Sequence, residues 1–159
     1  MANLFLAHEI ITMNITEEHN GAAFYAALAQ SAESPALRNT AAAIAQQEKV
    51  HEERFARLAE TLEPPAAAES YAGEYEAYIE QLWQHKMFSD EQDAIDTAAN
   101  FDDLTAVEFA MQTEEATLAL LRQLIQHVDP KEQQVVQETI TEEEGHIDQL
   151  RLVLHQLRT

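Results

Sequence analysis

The stretch at residues 43–58 constrains the fold more than any other part of the chain. Ile44, Glu48, His51, Phe55 and Leu58 follow one another at spacings of four, three, four and three. That is the rhythm of the inward face of an α-helix packed among other helices. Two of the five inward positions carry a carboxylate and an imidazole, groups that stay out of cores unless they are paired or bound to metal. Glu48 and His51 stand one turn apart on the same face, so both can reach a single ion. A lone Glu-x-x-His is a weak signal, and its place in an apolar seam is what gives it weight.

The same pattern occurs twice. Ser34-Pro35, Glu48 and His51 recur as Asp129-Pro130, Glu143 and His146, each shifted by 95 positions, and Glu18 corresponds to Glu114 with a shift of 96. Each half reads as a helix with one inward Glu, a capped Pro start, and a helix with an inward Glu-x-x-His. Chance repetition of the motif would not reproduce helix starts, seam positions and offset together.

Taken in order, the periodicity predicts a first helix over 3–32, with Ile11, Ile15, Glu18, Tyr25 and Leu28 on one face. Gly21 within it is unfavourable by about 1 kcal/mol against Ala, as a site of close helix approach or as a tolerated flaw. Ser34 as N-cap and Pro35 at the first helical position open a second helix, which Pro64-Pro65 stops after about Glu63. Small residues at 66–68 form a connector. Tyr71, Tyr75, Ile79 and Leu82 then fall at helical spacing within 71–87, and 90–99 reads as another short helical piece. Trp83 in this crossover is expected to pack and His85 to lie at the surface. The third helix begins at Asp102 or Asp103 and carries Val107, Met111, Glu114, Leu118, Leu121, Ile125 and Val128 in one seam. Asp129 with Glu132 three residues on resembles a capping box for the last helix, whose face holds Thr139, Glu143, His146, Leu150, Val153 and Leu157. His8, His19, His127 and His155 lack a seam partner and are expected to be exposed.

Three Gly and four Pro in 159 residues, with abundant Ala, Leu, Glu and Gln, favour long helices. The expected architecture is all-α: one domain over 1–159, a four-helix bundle with a long crossover that holds an additional helix between the second and third. A net charge of −20 argues against nucleic acid and anionic membrane surfaces as partners. No cysteine is present, which excludes disulfides and thiolate-bound iron within this chain. The first basic residue is Arg38 and Glu9 interrupts the early apolar residues, so neither a secretory leader nor a spanning helix is expected and a cytoplasmic location is.

One Glu from each of two helices plus Glu-x-x-His from each of two others is the ligand plan of ferritin-like di-metal carboxylate bundles. Four ionised carboxylates contribute −4 and two divalent ions +4, so the filled cluster is neutral. Bridging carboxylates with one imidazole per ion suit Fe(II) or Mn(II) better than a closed thiolate zinc site.

On these residues the chain resembles the rubrerythrin branch of the ferritin-like superfamily over nearly its whole length. Glu18-His19-Asn20-Gly21-Ala22-Ala23-Phe24-Tyr25 is similar to the family's first-helix pattern. Glu48-Lys49-Val50-His51 and Glu142-Glu143-Glu144-Gly145-His146 resemble its two Glu-x-x-His helices, and Phe109-Ala110-Met111 followed by Glu114 resembles its third helix. The resemblance implies two iron ions (Fe2+/Fe3+, oxo-bridged in one form, with manganese as the alternative) held by Glu18, Glu48, His51, Glu114, Glu143 and His146. It implies reaction with hydrogen peroxide or dioxygen, often in a homodimer. There are two departures. Without Cys the chain holds no rubredoxin-like iron site, so electrons must come from an external donor such as a separate rubredoxin-type protein. Thr117 stands where rubrerythrins place a further carboxylate tied to peroxide reduction.

Tyr25 lies about two turns from Glu18 and reads equally as a partner of a ligand carboxylate, a redox-active phenol or a core residue with a satisfied hydroxyl. Thr117 reads as lining the open side of the site or as helix packing. The run at 142–144 reads as one inward Glu143 with two solvated neighbours, or as an iron-attracting surface. Three functions follow: an oxidative-stress redox enzyme, a ferroxidase for iron storage or detoxification, and a helical interaction module whose site is vestigial or holds another metal.

Overall fold

The computed structural model of the protein describes residues 2–62, 71–74, 77, 80 and 86–159, with side chains in the first helix from Ala7 onward. Among the described residues the elements are all helical: α1 (Ala2–Ser31), α2 (Pro35–Thr61), α3 (Glu91–Asn100), α4 (Asp103–Leu124) and α5 (Pro130–Arg158). This is the expected ferritin-like bundle, with α3 as the additional crossover helix. The Pro64-Pro65 stop, the connector at 66–68, the helical spacing of Tyr75, Ile79 and Leu82, and Trp83 and His85 lie outside the described residues. Tyr71 is described and exposed.

α1 packs along α2 and α4 along α5; the two hairpins meet through α1 against α4 and α2 against α5, while α3 lies on α1. The core divides in two. One apolar cluster gathers Phe24, Tyr25, Leu28, Leu37, Ile44, Val107 and Leu150 at one end of the bundle. The other gathers Ile10, Ile11, Phe55, Leu58, Leu118, Leu121, Leu124 and Ile140 at the opposite end. Along every bundle helix the inward Glu and His positions fall between these clusters, so a charged layer separates two apolar ones. At the first end Phe24, Phe88 and Phe109 meet with ring centroids 5.4–5.6 Å apart. The buried Glu17 accepts from the Met87 amide at 3.4 Å and ties the end of the crossover to α1.

Local chemistry sets the helix ends. Ser34 accepts from the Leu37 amide at 3.3 Å, with Pro35 opening α2. Of the two candidate caps of α4, Asp102 takes the position and accepts from Thr105 at 2.8 Å. Asp103 turns away and accepts from the Glu33 and Ser34 amides at 3.0 and 2.6 Å, so α4 closes the α1–α2 turn. The capping box expected at Asp129 does not form, because its backbone carbonyl already takes the Glu132 and Gln133 amides. α2 ends at Thr61, slightly earlier than expected. The regular part of α4 ends at Leu124 and not at Val128, because the next turn tightens to three-residue bonds from Gln126 to Gln123 and from His127 to Leu124. Val128 is buried all the same. No described helix is long and apolar enough to cross a membrane.

Two amides held by one carboxylate make Asp103 a tertiary clamp. Asp103→Ala is expected to lower stability by about 1–3 kcal/mol, measured by urea unfolding of the metal-free protein. Asp148→Ala, which breaks only an exposed pair with Arg151, should change it by less than about 0.5 kcal/mol.

Candidate metal centre

The charged layer is built by four helices. α1 supplies Glu18, α2 Glu48 and His51, α4 Glu114, and α5 Glu143 and His146; no carboxylate among them is more than 4% exposed and both imidazoles are fully buried. The structure brings all six residues together in two overlapping groups. Glu18, Glu48, His51 and Glu143 form one, Glu48, Glu114, Glu143 and His146 the other, and in each the ligand-type atoms lie within 4.8 Å of one another. Glu48 and Glu143, the carboxylates of the two Glu-x-x-His motifs, belong to both groups. The internal repeat therefore appears in space as a near-symmetric pair of half-sites.

Both imidazoles present Nδ1 to the carboxylates. His51 Nδ1 lies 2.9 Å from Glu143 and 3.5 Å from Glu18. His146 Nδ1 lies 2.8 Å from Glu143, 3.2 Å from Glu48 and 3.5 Å from Glu114. These contacts are close but misaligned for hydrogen bonding: Nδ1 of both histidines, both oxygens of Glu18 and of Glu143, and Glu48 Oε1 are buried without a hydrogen-bond partner. Buried polar atoms are almost always satisfied, and here seven ligand-type nitrogen and oxygen atoms lie together without a hydrogen-bond partner. Oxygen and imidazole donors of this kind fit a pair of divalent Fe or Mn ions.

Electrostatics point the same way. Burial, then the nearby Glu143, raises the pKa values of Glu18, Glu48 and Glu114 well above the ordinary carboxylate range. Burial also acts to raise Glu143, but the adjacent His146 and His51 outweigh it and hold this carboxylate ionised. Burial works to lower both imidazoles, yet the surrounding carboxylates push them above the usual value. Without cations from elsewhere, the layer keeps itself near neutrality with protons.

Around the six residues stands a supporting set. The Tyr25 hydroxyl donates to Glu114. Burial, then the Glu114 charge, raises the Tyr25 pKa well above its ordinary value, so the phenol keeps its proton and acts as a donor. Thr117 is buried one turn beyond Glu114. A Cβ on Gly21 would meet Glu48 Oε2 at 3.6 Å, an ordinary contact distance, so the packing of α1 against this shared carboxylate does not require a glycine there.

The expected pair of solvated neighbours at 142–144 needs correction. Glu144 does face solvent, paired with Arg122, but Glu142 is half-buried and accepts from His51 Nε2 at 2.7 Å and from Arg54 at 3.0 Å. Its counterpart Gln47 accepts from His146 Nε2 through Oε1. Both were missed as site residues, although the shift of 95 positions that relates the ligand motifs also relates Gln47 to Glu142. Two histidines expected to be exposed are half-buried, His8 and His127. His19 is exposed but bridges Glu52 at 3.0 Å and Glu91 at 3.1 Å, linking three helices.

Fold and site together define a helical carboxylate bundle with a buried cluster able to hold metal. The chain matches the Rubrerythrin family over residues 9–154 and belongs to that family. Comparison with curated proteins and with solved structures gives no match.

The raised pKa values fix the direction of a pH effect. Above pH 4.5, the ordinary Glu value, the unfolded chain has released protons that folded Glu18, Glu48 and Glu114 still hold. Their contribution to the metal-free fold is complete below that pH and is lost as pH rises through their folded values; His51 and His146 act alike above 6.5. Glu143 acts oppositely, losing its contribution on acidification. Metal must displace the retained protons. Metal affinity should therefore increase with pH, and calorimetric titration in buffers of different ionisation enthalpy should detect protons released on loading. Loading without proton release would contradict the assignment.

Proposed function

We propose that the protein is a di-iron oxidoreductase in which a diferrous centre reacts with hydrogen peroxide or dioxygen and an external donor, such as a rubredoxin-type protein, re-reduces it. The observation that carries this reading is the pair of four-residue groups sharing Glu48 and Glu143. When bound, the ions would supply two reducing equivalents to the oxidant. Glu48 and Glu143 would serve both ions, with Glu18 and His51 holding one and Glu114 and His146 the other, each imidazole offering the Nδ1 that faces the carboxylates.

The chain's own part is to hold charge and exclude water. Glu143, ionised before loading, offers the first full negative charge to an incoming cation, and the remaining carboxylates lose protons as the charge is matched. Tyr25 keeps Glu114 in place through its hydroxyl and holds its own proton while doing so. The apolar clusters above and below leave the layer in a low-dielectric setting, where fixed charges act strongly.

A second reading, oxidation of iron for storage or detoxification, draws support from Thr117. A buried hydroxyl where the resemblance expects a further carboxylate removes a ligand tied to peroxide chemistry and leaves iron oxidation by dioxygen intact. Anaerobic reduction followed by separate additions of peroxide and oxygen, with the iron content counted afterwards, discriminates the two. Rapid return of ferric absorption with either oxidant at about two irons retained per chain supports the redox enzyme, and accumulation of many ferric irons per chain supports the storage reading. Loaded protein that neither oxidant reoxidises faster than free Fe(II) contradicts both.

Glu48→Gln and Glu143→Ala are each expected to reduce binding from about two ions per chain to none that survives desalting, with helicity retained by circular dichroism. Removing one of four crowded acids also relieves repulsion, so metal-free Glu48→Gln should unfold at the same temperature as the metal-free parent or above it. Full metal content in both variants would refute the ligand assignment.

A further inference from the structure

The two half-sites match in their inner residues and differ behind them. Gln47 precedes Glu48 and reaches across the bundle to Nε2 of His146, while Glu142 precedes Glu143 and reaches back to Nε2 of His51 at 2.7 Å. One histidine therefore leans on a neutral amide and the other on a carboxylate. The difference extends one residue further. Arg54 donates to Glu142 at 3.0 Å and to the buried Thr139 hydroxyl at 2.8 Å, which fixes the carboxylate in place. The repeat position of Arg54 in the second half is Gln149, so the second half has no arginine at that position to clamp Gln47.

In both cases the Nε2 proton is donated outward, leaving the Nδ1 lone pair for an ion. A carboxylate acceptor draws that proton more strongly than an amide carbonyl does. It thereby makes the imidazole a better donor to metal, and loss of such a partner typically costs 10–100-fold in affinity.

Resting on the di-iron reading above, we propose that the two ion positions are inequivalent. Glu142, clamped by Arg54, makes the position at His51 and Glu18 the tight one, and Gln47 leaves the position at His146 and Glu114 weaker and the first to exchange. Glu142 and Gln47 are positioning residues that act through the histidines. The two ions are then loaded in order, and a chain with one ion carries it beside His51.

Anaerobic titration with Co(II) against a competing chelator, followed by its visible absorption, reads both affinities without any turnover. The parent protein should bind two ions in two steps separated by about 10–100-fold. Glu142→Gln should weaken the tight step by a comparable factor and merge the two. Gln47→Glu should tighten the weak step, a gain that a misfolded variant cannot imitate. Glu144→Gln, which removes a neighbouring charge that touches no histidine, should leave both steps where they are. Two ions bound with steps that neither Glu142→Gln nor Gln47→Glu alters would overturn the inequivalence and leave the di-metal reading standing. Failure of the parent to bind two ions would overturn both.

Discussion

Four buried carboxylates within reach of two imidazoles are the constraint on which this structure depends. Each acid taken from water into a bundle core costs several kcal/mol unless its charge is matched. The chain places Glu18, Glu48, Glu114 and Glu143 in one layer, with apolar clusters on either side. Packing alone cannot stabilise that layer; matching by cations or protons can. The perturbed pKa values of the metal-free cluster and its unpartnered Nδ1 and carboxylate oxygens are two expressions of one shortage of positive charge.

The rest of the bundle serves to hold the layer together. Phe24, Leu28, Ile44 and Leu150 on one side, with Ile11, Phe55, Leu118 and Leu121 on the other, bury enough apolar surface to fix four helices around a region that repels itself. The Asp103 clamp, the Ser34 cap and the Glu17 contact to the crossover tie the helix ends. The internal repeat then turns a single motif into two overlapping groups that share Glu48 and Glu143, and its imperfection at Gln47 and Glu142 gives the two histidines different partners.

Much of this was legible in the sequence, and for a physical reason. An acidic residue in a four-three apolar seam is so unfavourable without a partner that Glu48, Glu114 and Glu143 stand out by position alone, and the shift of 95 residues pairs the halves before any coordinates are considered. Helix starts were legible at Ser34-Pro35 for the same reason, since cap chemistry is local. What escaped was chemistry at the edge of the seam. Glu142 and Gln47 sit one residue from it, where a polar side chain is unremarkable, and only the packing of α2 against α5 shows that each touches the opposite histidine. The end of α4 escaped too, because Ile125 and Val128 continue the apolar rhythm while the backbone tightens beneath them. The function of Asp103 depends on a turn distant in sequence and could not be read locally.

Belonging to the rubrerythrin family accounts for the bundle and for the capacity of its buried cluster to hold metal. The central proposal is that Glu48 and Glu143 are shared between two ions. X-ray absorption at the iron edge of the loaded protein tests that most directly. It should find a metal–metal distance of about 3.5–4 Å, with nitrogen and oxygen neighbours only and about one imidazole per iron. An isolated iron without a second metal nearby, or a shell without imidazole, would contradict it.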